Sequence, residues 1–172
     1  RSPGEFYQLD MEMAFADQED VFAILEDVLP PIFAHYGKYS IASAAPFRRI
    51  GYTEAMETYG TDKPDLRIDL VLQDMTALVE GSDFGPFAAG NTVKAIAVSG
   101  CDLTRKQIDS LAEFVKTYRA KGLPYMTFTA DGNVKSSFNK FMTPELVETV
   151  REAMDAEPGD IIFFGADKKS VV

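Results

Sequence analysis

TRKQIDSLAEFVKTYRAKGLPYMTFTA, residues 104–130, carries two structural periods in succession. Thr104 and Gln107 stand at capping-box spacing, where each side chain satisfies a backbone N–H of the other. Ile108, Leu111, Val115 and Tyr118 then recur on one helical face, and Gly122 offers a stop. The spacing predicts a helix over 104–121. A strand is expected directly after it at 124–130, closed by an Asp131-Gly132 turn.

The pattern continues outward on both sides. A weak helix is expected over about 74–80 and an apolar strand over 92–99. Another helix starts at Thr143 with Pro144 in its first position, where a missing N–H costs nothing. Ile161-Ile162-Phe163-Phe164 reads as a final strand. Helices alternate with strands at uneven spacing, so no regular parallel sheet is implied; the sheet is expected to be mainly antiparallel.

Further back, residues 5–16 alternate with period two. Tyr7, Leu9, Met11, Met13 and Phe15 fall on one face, and Gln8, Asp10 and Glu12 on the other, as in a half-buried strand. Asp17 then caps a helix with Val21, Ile24, Leu25 and Val28 at core spacing. Pro30-Pro31 is expected to kink or break it, with a second short piece ending at Gly37. Residues 39–46 read as loop, 47–52 as a short strand, and Thr53 as the cap of a brief helix closed by Gly60. The polar, proline-fixed loop Thr61-Asp62-Lys63-Pro64-Asp65-Leu66-Arg67 leads to an expected seam between about 64 and 74.

Composition narrows the function classes. The 172 residues are 46% hydrophobic and 26% charged, enough for one core or two small ones. No apolar run approaches the roughly 20 residues that span a bilayer. One cysteine, Cys101, excludes an internal disulfide and fits a reducing cytosol; with the single His35 it makes a His/Cys metal site a poor fit. A net charge of −10 disfavours tight binding of nucleic acid by this chain alone, because phosphate affinity comes mostly from Lys and Arg. The chain opens in a polar turn without an initiator Met and is expected to be an internal piece of a longer protein.

Arg1-Ser2-Pro3-Gly4-Glu5-Phe6-Tyr7-Gln8-Leu9-Asp10-Met11-Glu12 resembles the second half of motif 2 in class II aminoacyl-tRNA synthetases, in the form that bacterial aspartyl-tRNA synthetases carry. Tyr59-Gly60-Thr61-Asp62-Lys63-Pro64-Asp65-Leu66-Arg67 resembles the signature these enzymes carry before their large insertion. Leu103-Thr104-Arg105-Lys106-Gln107-Ile108-Asp109, Ala120-Lys121-Gly122-Leu123, Lys140-Phe141 and Gly159-Asp160-Ile161-Ile162-Phe163-Phe164-Gly165-Ala166-Asp167 look like that insertion, the GAD domain, which also occurs in archaeal glutamyl-tRNA amidotransferases. The likeness covers essentially the whole chain in the family's order. Ser2 stands where several members carry Gln, so no nucleotide contact is assigned there.

The resemblance implies an α+β fold. A catalytic-domain remnant, an antiparallel strand plus helices, is expected at 1–68; a compact α+β GAD-type insertion domain with a mainly antiparallel sheet follows at 69–172. It implies a parent that activates L-aspartate with ATP and Mg²⁺, transfers it to the 3′ end of tRNA(Asp), and works as a cytoplasmic homodimer. Asp10 is then expected to hold the substrate ammonium, with Gln8 and Glu12 in supporting positions on the same strand face. No catalytic residue, metal ligand or bound cofactor is expected within the chain itself. Motif 1, the first half of motif 2 and motif 3 lie outside it, so the isolated chain is expected to be inactive.

Four further features set a structural reading against a functional one. The 62–67 loop is either an approach to acceptor-end phosphates through Lys63 or Arg67, or a self-neutralising linker. Arg105, Lys106, Lys116, Arg119 and Lys121 read either as a contact to tRNA or, the preferred reading, as the solvated face of a helix. His35 reads as a surface histidine, and Cys101 has no sequence partner that marks it as a nucleophile. Two rival functions stand beside the synthetase: an amidotransferase subunit carrying the same inserted domain, and a non-catalytic interaction module.

Overall fold

A computed structural model of the chain describes residues 4–39 and 44–168. Residues 1–3, at the start of the motif-2-like stretch, and residues 40–43 of the expected 39–46 loop lie outside the described residues. The chain divides into two compact units, Arg1–Ile50 and Gly51–Val172.

In the first unit, helix α1 runs over Gln18–Tyr36. Asp17 caps it as expected, its carboxylate accepting from the N–H groups of Glu19 and Asp20, while Asp20 returns a bond to the Asp17 N–H. Of the expected kink or break at Pro30-Pro31, the break does not occur: the helix is continuous through both prolines to Gly37, whose N–H donates to Phe33 O at 2.8 Å. Each proline removes one helical donor and frees the carbonyl four residues earlier, at Glu26 and Asp27; Asp27 is exposed and Glu26 only half-buried, where water can take them. Residues 47–52 do not form a strand. Phe47 N–H donates instead to Glu26 Oε1 (2.8 Å), and Arg49 pairs with Glu19 and lies 4.7 Å over the Phe22 ring, so this segment runs along α1. None of the described residues of this unit is buried.

The second unit holds the core. Its elements are α2 (Tyr52–Tyr59), β1 (Gln73–Asp74), α3 (Thr76–Val79), β2 (Thr92–Val98), α4 (Arg105–Lys116), β3 (Tyr125–Phe128), β4 (Val134–Ser136), α5 (Pro144–Met154) and β5 (Ile161–Asp167), with short 3-10 turns at Gly85–Phe87 and Asn139–Phe141. The strands form one five-stranded sheet in the order β1-β2-β5-β3-β4, and every neighbouring pair is antiparallel. This is the expected α+β class.

The central strand β5 pairs along its length with β2, from Val98 opposite Ile161 to Thr92 opposite Asp167. Its alternation divides the core. Ile162 and Phe164 point to the face covered by α3, α5 and the Phe87 turn, where Phe84, Phe87, Phe138 and Phe164 pack edge-to-face and stacked. Ile161 and Phe163 point to the other face and meet Ile108 of α4. Burying a Phe or Ile side chain contributes about 1.5–3 kcal/mol, and this strand places four such side chains at the centre.

Helix α4 has the expected capping box between Thr104 and Gln107. It ends at Lys116, before the expected 121, because Arg119 rather than Gly122 takes the left-handed conformation (φ 73°) and Ala120 N–H closes back on Val115 O. Ile108 is buried and Val115 half-buried, but Leu111 is 37% exposed and Tyr118 lies beyond the helix, largely exposed. Helix α5 begins at Pro144 behind a Thr143 cap, and α2 ends at Gly60 with φ 69°.

The compact unit that contains α2 starts at Gly51, ahead of the seam read from sequence near 64–74. Leu72 N–H donates to Thr58 O at 2.8 Å and Ala55 is buried, so α2 packs with the sheet that follows it.

Candidate functional site

The segment expected to form the floor of a site, residues 5–16, is assigned no strand, and its side chains are exposed on both faces. Tyr7, Leu9 and Phe15, on the expected apolar face, stand in solvent, and Phe15 has φ 57°. The physical reason is general: a strand needs a neighbour to take its N–H and C=O groups, and among the described residues none pairs with this one. Gln8, Asp10 and Glu12 are likewise exposed. Asp10 Oδ1 accepts from its neighbour Met11 N–H at 3.1 Å. Alternation sets these three polar groups on one side of an extended chain; the described residues bring no further group to them.

The 62–67 loop is self-neutralised. Lys63 Nζ lies 2.9 Å from Asp62, and Arg67 grips Asp65 through Nε at 2.8 Å and a terminal nitrogen at 2.5 Å. The Arg67 side chain, then its backbone N–H, holds the Asp65 carboxyl down to about 2. These pairs are open to water, where such contacts are worth little and can be exchanged for another anion.

The basic residues of the long helix divide in the same way. Arg105 pairs with Asp109 (3.0 Å), Lys116 with Glu113 (2.6 Å) and Lys121 with Asp167 (2.9 Å), while Arg119 occupies the turn after α4. Asp167 is 11% exposed at its side chain, and Lys121, then the Lys168 N–H, hold its carboxyl below the usual range. Lys121 and Asp167 line a cleft of about 500 Å³ with Phe84, Asn91, Pro124 and Ser137. His35 is exposed and stacks edge-on against Tyr36. Cys101 is half-buried beside the Ile108 cluster, its N–H donating to Gly159 O.

Two arrangements were not read from the sequence. Arg151 lies 5.2 Å over the Phe128 ring at the edge of a hollow of about 460 Å³. Lys94, inside the apolar strand β2, is 12% exposed at its side chain and bridges Glu57 of α2 (2.6 Å) and Asp74 of β1 (3.4 Å). The signal for the second was present: a single cation in the run Thr92-Val93-Lys94-Ala95-Ile96-Ala97-Val98 demands a buried partner. Among the described residues no three His, Cys, Asp or Glu side chains converge as a metal-holding group, and no helix is long and apolar enough to cross a membrane.

The GAD domain family matches residues 85–172. Over 98% of its length the chain is 44% identical to an aspartate–tRNA(Asp/Asn) ligase of Symbiobacterium thermophilum and 42% identical to one of Lachnoclostridium phytofermentans. It is 42% identical, again over 98% of its length, to an aspartate–tRNA ligase of Clostridium botulinum. The chain spans 29% of the length of each of these relatives.

Proposed function

The chain belongs to the GAD domain family, and from that premise we propose that it is an internal part of an aspartate–tRNA ligase that activates L-aspartate with ATP and carries it to the 3′ end of tRNA(Asp). The observation that carries this reading is the reach of the similarity, which extends across residues ahead of Gly85 as well as the GAD region. An amidotransferase subunit sharing the inserted domain alone would leave the first half of the chain unmatched. On this reading residues 1–68 belong to the catalytic domain and 69–172 to its insertion, and the enzyme acts as a cytoplasmic homodimer.

Asp10 is the residue proposed to hold the aspartate ammonium by a charge-assisted hydrogen bond, with Gln8 and Glu12 beside it. Neighbouring strands of the longer protein convert the extended segment 5–16 into the floor of a pocket and remove these groups from bulk water. ATP would supply the activating adenylyl group, the aspartate carboxylate bonding to its α-phosphorus as pyrophosphate leaves, and Mg²⁺ would neutralise charge on its phosphates. No residue of this chain is assigned to the metal in this proposal. The chain alone, with its net charge of −10, is expected to be silent in aspartate activation and to bind tRNA weakly.

Aspartate-dependent ATP–pyrophosphate exchange by the full-length protein tests the proposal. Truncating one side of a buried charged pair costs about 2–5 kcal/mol, so Asp10→Ala should lose at least about tenfold in aspartate use. Met11→Leu, on the opposite face, conserves volume and should cost under about 1.5 kcal/mol of stability with little effect on substrate. An Asp10→Ala enzyme as active as wild type would place that face in solvent and remove the site assignment. A full-length protein without a motif 3 arginine downstream would favour the interaction module, a reading supported by the separate core of the second unit.

A further inference from the structure

Lys94 sits on the sheet face that also carries Ile96 and Val98, opposite two different neighbours. Across β5 its register partner is Gly165, which has no side chain to meet the lysine stem; across β1 it is Asp74. The ammonium reaches past Asp74 (3.4 Å) to Glu57 (2.6 Å) in the last turn of α2. Asp74 is itself held, its Oδ1 accepting from Thr76 N–H at 3.0 Å. The lysine is largely buried and the carboxylates sit at the rim, so burial opposes its charge while Glu57 and Asp74 outweigh it and hold the ammonium protonated. Removing the cation takes away the partner that Glu57 and Asp74 share.

This bridge stands at the foot of a loop. Leu72 N–H donates to Thr58 O, and a Cβ placed on Gly60 would lie 3.3 Å from Leu72 Cδ1, so the chain leaves α2 and returns to β1 through one close contact. Between those points, residues 61–71 carry the self-paired Lys63 and Arg67 and the exposed Leu66 and Ile68. We propose that Lys94 is a positioning residue: by bridging Glu57 and Asp74 it fastens α2 and the 60–71 loop to the sheet of the GAD domain, so that loop and sheet move together in the longer enzyme. The fastening stands on the geometry alone; its consequence for tRNA charging rests on the ligase reading above.

The test compares wild type, Lys94→Met and Lys94→Arg in the full-length protein by amide hydrogen exchange and by steady-state charging. In Lys94→Met the Leu72 amide and the α2 amides should exchange at least about tenfold faster, with β3 and β5 unchanged, since a local opening is lowered and the core is not. The kcat for tRNA charging should fall about tenfold while the KM for aspartate stays within about twofold, the signature of displaced positioning rather than lost substrate contact. Lys94→Arg, which keeps the cation, should restore both. Unchanged exchange in Lys94→Met overturns the fastening, and faster exchange with normal charging overturns the positioning role. A wild-type protein that neither activates aspartate nor charges tRNA removes the ligase reading, and the exchange data then decide the fastening by themselves. If Lys94→Met fails to fold, Glu57→Gln at the rim should show the same pattern more weakly; wild-type exchange and charging in that variant would overturn the proposal.

Discussion

Asp160 is the buried carboxylate whose removal most directly probes how the second unit is closed. It is 5% exposed and precedes β5. Its Oδ1 accepts from Gly100 N–H, in the turn after β2, and its Oδ2 from Glu157 N–H, in the turn after α5, both at 3.0 Å. The same residue's carbonyl accepts from Phe128 N–H at 2.9 Å, so three segments meet on one side chain and one peptide. In Asp160→Ala, two backbone donors lose a charged acceptor. A hydrogen bond to a charged group is worth about 1.5–3 kcal/mol, which sets an upper figure of about 3–6 kcal/mol for the pair.

Two effects reduce that figure. Gly100 and Glu157 are exposed residues, so water can reach their freed N–H groups. Deleting a mostly buried carboxylate also recovers part of its desolvation cost. The net expectation is a loss of about 2–3 kcal/mol. Asp160→Asn keeps one acceptor but turns an NH₂ toward the other donor, so it should recover no more than about half of the loss. Urea unfolding followed by circular dichroism measures this as a lower midpoint at constant slope, and thermal unfolding as a fall of roughly 8–12 °C. Amide exchange at Gly100 should rise with it. An Asp160→Ala protein within about 0.5 kcal/mol of wild type would show that the turns hold without the carboxylate, and the assignment of Asp160 as their common anchor would fail.

Phe164→Ala empties the centre of the aromatic cluster, where Phe164 is fully buried, and should cost about 3–5 kcal/mol in the same urea assay; a loss below about 1 kcal/mol would mean the cluster collapses around the gap. Arg119→Gly relieves a side chain held at φ 73° and should raise stability by about 1 kcal/mol, with a destabilised variant refuting the left-handed turn. Asp65 should titrate near 2 by carboxyl NMR because Arg67 pairs with it, and Arg67→Ala should return it toward the ordinary value. Asp74, lowered first by the Thr76 side-chain hydrogen bond and then helped by Lys94, has a folded value below its unfolded one. Its contribution is present above about pH 3.9 and is lost as pH falls through the lowered folded value. A urea midpoint unchanged between pH 5 and pH 2 would contradict that sign.

What was legible in the sequence is what local chemistry decides. Thr104 with Gln107, Thr143 with Pro144, and Gly60 each announced a helix end that the structure has, because a cap is settled within four residues. The end of α4 was misread for a related reason: glycine at 122 advertised a left-handed turn, but Arg119 takes it first, where Thr117 Oγ1 and the Ala120 N–H already bond back to the last turn of the helix. The Lys94 bridge lay out of reach because its partners are 37 and 20 positions away, and spacing along one strand says nothing about which helix will lie beside it.

The contrast between residues 5–16 and Ile161–Asp167 shows where that limit falls. By alternation alone the first is the better strand, with five apolar side chains on one face and Gln8, Asp10 and Glu12 on the other. Yet the second is the strand: β2 bonds one edge of it and β3 the other, and each face of its side chains meets a helix. Alternation specifies which side chains would share a face; a ladder requires N–H and C=O partners, and these come from other parts of the sequence. An extended segment whose apolar face stays exposed therefore has a pattern in search of neighbours. The chain spans 29% of the length of its relatives, and under the ligase proposal neighbouring strands of the longer enzyme are the occupants that the pattern calls for. Under the ligase proposal, the same event that buries Leu9 and Met11 also dries the face that carries Asp10. Folding of this segment and formation of the aspartate site are then one process, and a variant that exposes Leu9 should lose substrate and stability together.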